Sequence, residues 1–167
     1  PLQLLQVGAD LVARGLDVRV VFIGSFVGAE VQAAFDAEVG RLGLEGRIDV
    51  TGYIRGPEEL YGLFNEVDAF LYPLSEGMTS RRSSVQAAAL SGRPVIVTAP
   101  AQSDSLGHHR LLRSLIAAGA IQFVPLGASA ATMADAVLAT RGLPVRKVDA
   151  RAEVEALWTE VVRAFDA

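Results

Sequence analysis

Two groups of polar residues in this sequence have the types and spacing to bind a ligand. Glu76 and Gly77 form a Ser-Glu-Gly turn directly after the short apolar run Ala69–Tyr72. Arg81 and Arg82 follow soon after it. A carboxylate accepts hydrogen bonds from hydroxyl groups, and an arginine side chain binds phosphate through a planar fork of donors. The two groups therefore indicate hydroxyl and anionic groups on the same ligand, with an ordinary polar turn as the alternative.

The elements around these residues place them at one end of a strand. Ala69–Tyr72 predicts a buried strand, and open α/β sheets bind ligands at the carboxyl ends of their strands. Thr79 or Ser80 is the predicted N-cap of the helix that follows, and Gly92 is predicted to end it.

This helix start puts Arg81 and Arg82 in the first turn, where cations oppose the helix dipole by about 0.3–1 kcal/mol each. An anion held between the arginines and the free amides would offset that cost. Two solvated arginines on a surface turn are the alternative.

The whole chain alternates between strands and helices, which predicts parallel βαβ units. Val18–Ile23 and Ile121–Val124 are continuous apolar strands apart from single polar residues. The fold class is therefore α/β, with a Rossmann-like parallel sheet covered by helices on both faces. The predicted strands are Val18–Ile23, Arg47–Thr51, Ala69–Tyr72, a run from Val95, and Ile121–Val124. The predicted helices include Gly28–Leu42, Pro57–Glu66, His108–Ala118, Ala128–Thr140 and Ala150–Phe165.

Composition excludes several classes of protein. Apolar residues make up 51% and charged residues 20%, which indicates a globular domain. There is no cysteine, so disulfides and cysteine chemistry are excluded. The net charge of −4 and the lack of a larger basic cluster give no indication of nucleic-acid binding. No apolar run in this sequence is long enough for a membrane span, and we expect no signal peptide within it.

Metal and other nucleotide motifs are not expected. His108 and His109 are adjacent, and neighbouring positions on a helix point apart, so joint metal ligation is not expected. Gly24–Gly28 lacks the dinucleotide fingerprint, and no phosphate loop or Gly-x-Ser-x-Gly elbow occurs.

Ser75-Glu76-Gly77 and Gly92-Arg93-Pro94-Val95 together resemble the donor-sugar motif of a large enzyme family. These are the retaining glycosyltransferases with two facing Rossmann-like domains, the GT-B fold, of the family 4 type. Nearly the whole chain looks like their donor-binding domain. The further matching pieces, in order, are Ile23-Gly24, Ile48–Gly52, Glu59-Leu60-Tyr61, Val67-Asp68 and a last helix with Trp158.

The middle of the motif departs from the family pattern. Where the family has a second Glu, counting from Glu76 reaches Ser84 and counting back from Gly92 reaches Ala87. The loop Thr98–Gly107 also lacks the usual Gly-Gly-Glu pattern.

The resemblance implies a nucleotide-diphosphate sugar as donor substrate, with no cofactor and no metal. Glu76 is implied as the catalytic-site carboxylate that binds the hydroxyls of the donor sugar. The anion argument, not the resemblance, adds that Arg81 and Arg82 would bind the diphosphate, and Gln86 would contact the ribose in place of the second Glu. The other implied binding residues are Gly77, Met78, Thr79, Ser80 and Ser83, with Tyr53, Ile54 and Arg55 at the base.

The resemblance also implies partners: a carbohydrate or lipid-linked acceptor and an N-terminal acceptor domain, without which the chain is expected to be inactive. A cytoplasmic location, or membrane association through the acceptor domain, would follow. The sequence starts in a helical pattern at Pro1 without Met, so we expect residues 1–167 to be a donor-binding domain from a longer chain, whose first helix lacks its preceding strand. The alternatives are a sugar-nucleotide epimerase and a non-catalytic nucleotide-sugar binding or interaction domain.

Overall fold

The computed structural model describes residues 2–146 and 149–165, which fold as alternating strands and helices. None of the described helices is long and apolar enough to cross a lipid bilayer. The described strands are β1 Val20–Phe22, β2 Ile48–Val50, β3 Phe70–Tyr72, β4 Val95–Thr98 and β5 Ile121–Val124. The described helices are α1 Leu2–Ala13, α2 Ala29–Arg41, α3 Pro57–Glu66, α4 Ser83–Leu90, α5 Arg110–Ala117, α6 Ala130–Ala139 and α7 Ala150–Phe165.

Hydrogen bonding divides the strands into two parallel sheets. One contains β1 and β2, and the other has the order β3-β4-β5. Phe70 lies opposite Val95, and Val95 lies opposite Ile121. The predicted α/β class and the parallel direction are confirmed. The parallel strands form two sheets in the structure, because β1 and β3 do not pair and no strand among the described residues lies between them.

The strands of both sheets point the same way. Arg19 directly precedes β1, and Glu66 precedes β3. The pKa of the Arg19 guanidinium is raised mainly by Asp49 and to a smaller extent by Glu66, so Arg19 and Glu66 lie near each other. At the other end, Ile23 and Tyr72 pack against one hydrophobic cluster. The carboxyl ends of all five strands therefore lie at one edge, here called the carboxyl edge.

Helices cover both faces of the sheets. On one face, called face A, α1 contacts both α2 and α6. On the other, face B, helices α3, α4 and α5 pack over β3 and β4. The buried residues on face A are Leu5, Val7, Leu11, Phe35, Leu44, Ile96, Val124, Ala128, Met133 and Ala134. Those on face B include Phe64, Phe70, Val85, Ala88, Val95, Val97, Leu111, Leu112 and Leu115.

Strand β4 is the centre of its sheet because its sequence suits burial on both faces. All four residues of Val95–Thr98 are buried. Ile96 packs towards face A, whereas Val95 and Val97 pack towards face B. A strand buried on both faces needs a continuous run of β-branched residues, as found here. Its carboxyl end is thus a fixed point for the loops that cross it.

Candidate functional site

The turn that carries Glu76 is hydrogen-bonded to the end of β4. The amide of Leu74 donates to the Thr98 hydroxyl at 3.0 Å, and the amide of Met78 donates to the Thr98 carbonyl at 3.0 Å. The amide of Gly77 donates to the Leu74 carbonyl at 3.1 Å, which closes the turn. Met78 is buried, whereas Glu76 is exposed. The backbone of the turn is therefore fixed while its carboxylate faces solvent at the carboxyl edge.

Gly77 is required by this close approach. Its φ of +77° lies in the left-handed region that favours glycine. A Cβ atom there would overlap the carbonyl oxygen of Ala99 and come within 3.1 Å of the amide nitrogen of Ala101. The turn thus presses against the backbone that follows β4.

The helix after the turn begins later than predicted. Residue Arg82 is the N-cap of α4, without a side-chain capping bond, so neither Thr79 nor Ser80 caps the helix and neither arginine is in its first turn. The amide of Arg82 donates to the Thr79 carbonyl at 3.2 Å, so Thr79–Arg82 is a separate turn. The bonds to Thr98 fix residues 74–78 beside the end of β4, and the helix starts only after this further turn.

Two side chains hold that turn and the helix start in place. The side-chain nitrogen Nε2 of Gln86 donates to the Ser80 carbonyl at 2.9 Å. The Tyr72 hydroxyl donates to the Ser84 carbonyl at 3.1 Å, and burial raises the pKa of Tyr72 to about 12. The ribose contact expected of Gln86 stays a prediction, and its amide nitrogen already binds the protein.

The turn leaves several polar groups without protein partners. The guanidinium groups of Arg81 and Arg82 have no hydrogen-bond or ion-pair partner among the described residues. Arg81 is exposed and Arg82 is half-buried. The described residues also offer no backbone acceptor to the amides of Thr79–Arg81. The amides of Gly77 and Met78, by contrast, donate within the protein. Cationic and amide donors therefore lie together beside Glu76 in the chain.

The predicted base-binding residues lie at the same edge, but in the other sheet. Tyr53, Ile54 and Arg55 follow the carboxyl end of β2, and Tyr53 is 80% exposed. Their loop is tied to the end of β1, because the amide of Gly24 donates to the Thr51 hydroxyl at 3.1 Å. The structure thus brings residues 76–86 into one cluster, with Tyr53–Arg55 separated from it by β1 and by the gap between the sheets.

The adjacent histidines lie at the start of α5. His109 is the N-cap of α5, and its Nδ1 accepts from the Leu112 amide at 3.4 Å. The two rings are 6.4 Å apart between centroids. No group of three or more metal-ligating side chains occurs among the described residues.

Sequence reasoning missed Thr98, which anchors the whole turn. Its side chain is 1% exposed, accepts from Leu74 and donates to the Tyr72 carbonyl at 3.4 Å. The available signal was a polar residue that directly continues a strand of Val and Ile.

Comparison with known proteins gives one match, to a family. No curated protein and no solved structure matches the chain. The sequence pattern of one family, described as glycosyl transferases group 1, matches residues 2–140. That range contains both sheets and all of the candidate residues described above. The chain belongs to the group 1 glycosyl transferases.

Proposed function

We propose that this domain binds the nucleotide-diphosphate sugar that donates the glycosyl group, at the carboxyl edge around Glu76. The observation that carries the proposal is the anchored turn with its unpaired polar groups. Its backbone is held by Thr98, while a carboxylate, two guanidinium groups and the amides of Thr79–Arg81 have no protein partner among the described residues. Preorganised donors of this kind stabilise negative charge without further rearrangement.

Each group has a role that fits its chemistry. The carboxylate of Glu76 accepts hydrogen bonds from two hydroxyls of the donor sugar, as a charged acceptor. The arginines and the amides before α4 bind the diphosphate, which becomes the leaving group when the sugar is transferred. Charge that develops on that leaving group is stabilised by the guanidinium groups and by the N-terminal end of the helix dipole.

Calorimetric titration with UDP, GDP and ADP, and with the matching uridine, guanosine and adenosine, tests the proposal. We expect one of the diphosphates to bind, and Arg82→Ala to reduce its binding free energy by roughly 1.5–3 kcal/mol, the value of a charged hydrogen bond. Binding of the matching nucleoside should be reduced much less, because the nucleoside carries no phosphate. Arg141→Ala is the matched control, since Arg141 is exposed and follows α6, which returns to the opposite edge.

A second variant separates the sugar from the nucleotide. Glu76→Gln keeps the size of the side chain but removes its charge. We expect this variant to bind the nucleotide sugar more weakly and to bind the free nucleoside diphosphate as tightly as the wild type. The proposal fails if no diphosphate binds the domain, or if Arg82→Ala, Arg81→Ala and Glu76→Gln all bind the sugar nucleotide like the wild type.

A further inference from the structure

Thr98 places a hydroxyl at the end of a strand that otherwise consists of Val and Ile. It directly follows Val95, Ile96 and Val97 and is 1% exposed. In the part of the chain that the structure describes, the polar residues buried as a whole are Thr98 and Thr140. A buried hydroxyl costs free energy unless it is hydrogen-bonded, so burial alone would favour valine here. The hydroxyl of Thr98 therefore needs a specific reason to be present.

The pairing of β3 with β4 follows a regular pattern that leads to this residue. The Phe70 amide donates to the Pro94 carbonyl at 2.9 Å, and Phe70 lies opposite Val95. The bonds of a parallel pair are evenly spaced and recur at every second residue of a strand. Two further steps of this pattern bring the Leu74 amide to the Thr98 carbonyl. A continued ladder would thus use that carbonyl for the residues after β3.

The hydroxyl changes which amide reaches the carbonyl. Oγ1 of Thr98 accepts from the Leu74 amide at 3.0 Å. The carbonyl of the same residue accepts from the Met78 amide, also at 3.0 Å. Leu74 lies two residues before Glu76, and Met78 lies two residues after it. Both ends of the Glu76 turn are therefore bonded to one residue of a buried central strand.

Without the hydroxyl, two amides would compete for one acceptor. The Leu74 amide also donates to the Tyr72 carbonyl at 3.0 Å, so it would keep a partner within its own turn. The strand pattern nevertheless directs it to the carbonyl of residue 98. Whenever Leu74 occupies that carbonyl, Met78 loses its bond and the second end of the turn is released.

We infer that the Thr98 hydroxyl is a positioning group for the donor sugar. It assigns Leu74 to the side chain and Met78 to the main chain, and it thereby fixes the backbone that carries Glu76. Thr98 is buried, so it acts through the turn and not on the ligand itself. The inference rests on the proposed function for the role of Glu76, whereas the assignment of the two amides does not.

Hydrogen exchange of the wild type, Thr98→Val and Thr98→Ser tests the assignment without a ligand. Valine keeps the shape of threonine but has no hydroxyl, whereas serine keeps the hydroxyl. We expect the Met78 amide to exchange at least about tenfold faster in Thr98→Val than in the other two proteins, while the Leu74 amide stays protected. Equal exchange of Met78 in all three proteins overturns the inference, as does an equal loss of protection at both amides.

Calorimetry tests the consequence for the sugar, with UDP, GDP and ADP each compared with its glucose and mannose esters. We expect Thr98→Val to reduce the affinity for the nucleotide sugar by about tenfold or more, as for a lost charged hydrogen bond, and that for the free diphosphate by less than about threefold. Thr98→Ser should bind both ligands like the wild type. Equal losses for the two ligands, no loss, or a serine variant that behaves like valine would each refute the inference. A wild type that binds no nucleotide sugar refutes the proposed function instead, and the Met78 exchange rates still decide whether the hydroxyl holds the turn.

Thr140→Val is the matched control. The Thr140 hydroxyl is also buried and donates to the Val137 carbonyl at 2.7 Å, but it caps the end of α6 at the opposite edge. We expect this variant to lose stability without a change in Met78 exchange or in sugar binding. If it reproduces the pattern of Thr98→Val, general destabilisation explains both variants and the inference fails. Should Thr98→Val not fold, Thr98→Ala removes the same hydroxyl and is judged by the same two measurements.

Discussion

Substituting Gly77 by alanine tests whether the Glu76 turn is held as described. The left-handed backbone costs a residue with a Cβ about 1–2 kcal/mol. The overlap with the Ala99 carbonyl oxygen adds to this, since that oxygen belongs to the backbone and the position of the Cβ is fixed by its own backbone, so neither atom can rotate away. The turn then has to shift, which breaks the bond from Met78 to Thr98, worth about 0.5–1.5 kcal/mol. With partial exposure of Met78, we expect a loss of roughly 2–5 kcal/mol.

Gly127→Ala is the matched control for this variant. Its φ of +74° is nearly the same, but no atom lies within 4 Å of the added Cβ. It therefore reports the backbone cost alone, roughly 1–2 kcal/mol. Urea unfolding of both variants gives the two losses in free energy, and their difference isolates the contact with Ala99. We expect that difference to be at least about 1 kcal/mol.

Equal destabilisation by the two alanines would refute the reasoning, because the turn would then not be pressed against β4. A functional measurement on the same variants adds a second check. A displaced turn moves the Glu76 carboxylate, so Gly77→Ala should also weaken binding of the nucleotide sugar. Gly127→Ala should not, since its added Cβ contacts nothing and Gly127 follows β5, which is two strands away from the Glu76 turn.

Two further variants probe the supports of the site. Burial raises the pKa of Tyr72 from 10.0 to about 12, so the neutral phenol stabilises the fold fully below pH 10. Between pH 10 and pH 12 the wild type should lose up to roughly 2–3 kcal/mol of unfolding free energy relative to Tyr72→Phe, measured by thermal or urea unfolding. Parallel pH profiles of the two proteins would contradict this. Gln86→Ala loses the bond to Ser80 and should cost about 0.5–1.5 kcal/mol of stability. If the turn positions the arginines, Gln86→Ala should also reduce the affinity for the nucleoside diphosphate. Unchanged affinity in calorimetry would argue against that role of the turn.

The order of elements could be predicted because local signals agree with the fold. Pro57 suits the first turn of a helix, and α3 begins there. Gly92 was predicted to end α4, and its φ of +83° confirms a left-handed position just past the helix. Glu76 was predicted at the carboxyl edge, and it follows β3 there. The tight packing of Gly92 against the backbone of Arg146 was not predictable, because those residues are distant in sequence.

The start of α4 was mispredicted because a long-range contact overrides a local preference. Thr79 and Ser80 are good N-cap residues by type. The bonds from Leu74 and Met78 to Thr98 instead fix the chain across β4, and the buried Met78 side chain holds it there. The place where the sheet divides could not be predicted from β1 and β3 themselves, since each has the sequence of an ordinary buried strand. Only their hydrogen-bonding sides show that no described strand joins them.

The later helix start changes the electrostatic argument about the arginines. In a first helical turn, both cations would oppose the dipole from within the helix. In the structure Arg81 precedes the N-cap and Arg82 occupies it, so the turn Thr79–Arg82 carries the guanidinium groups ahead of the helix amides. Under the proposed function, an anion before α4 would meet the amides of Thr79–Arg81, which have no backbone acceptor among the described residues, and the neighbouring guanidinium groups. The turn that displaced the predicted cap is therefore the feature on which the proposed diphosphate contact depends.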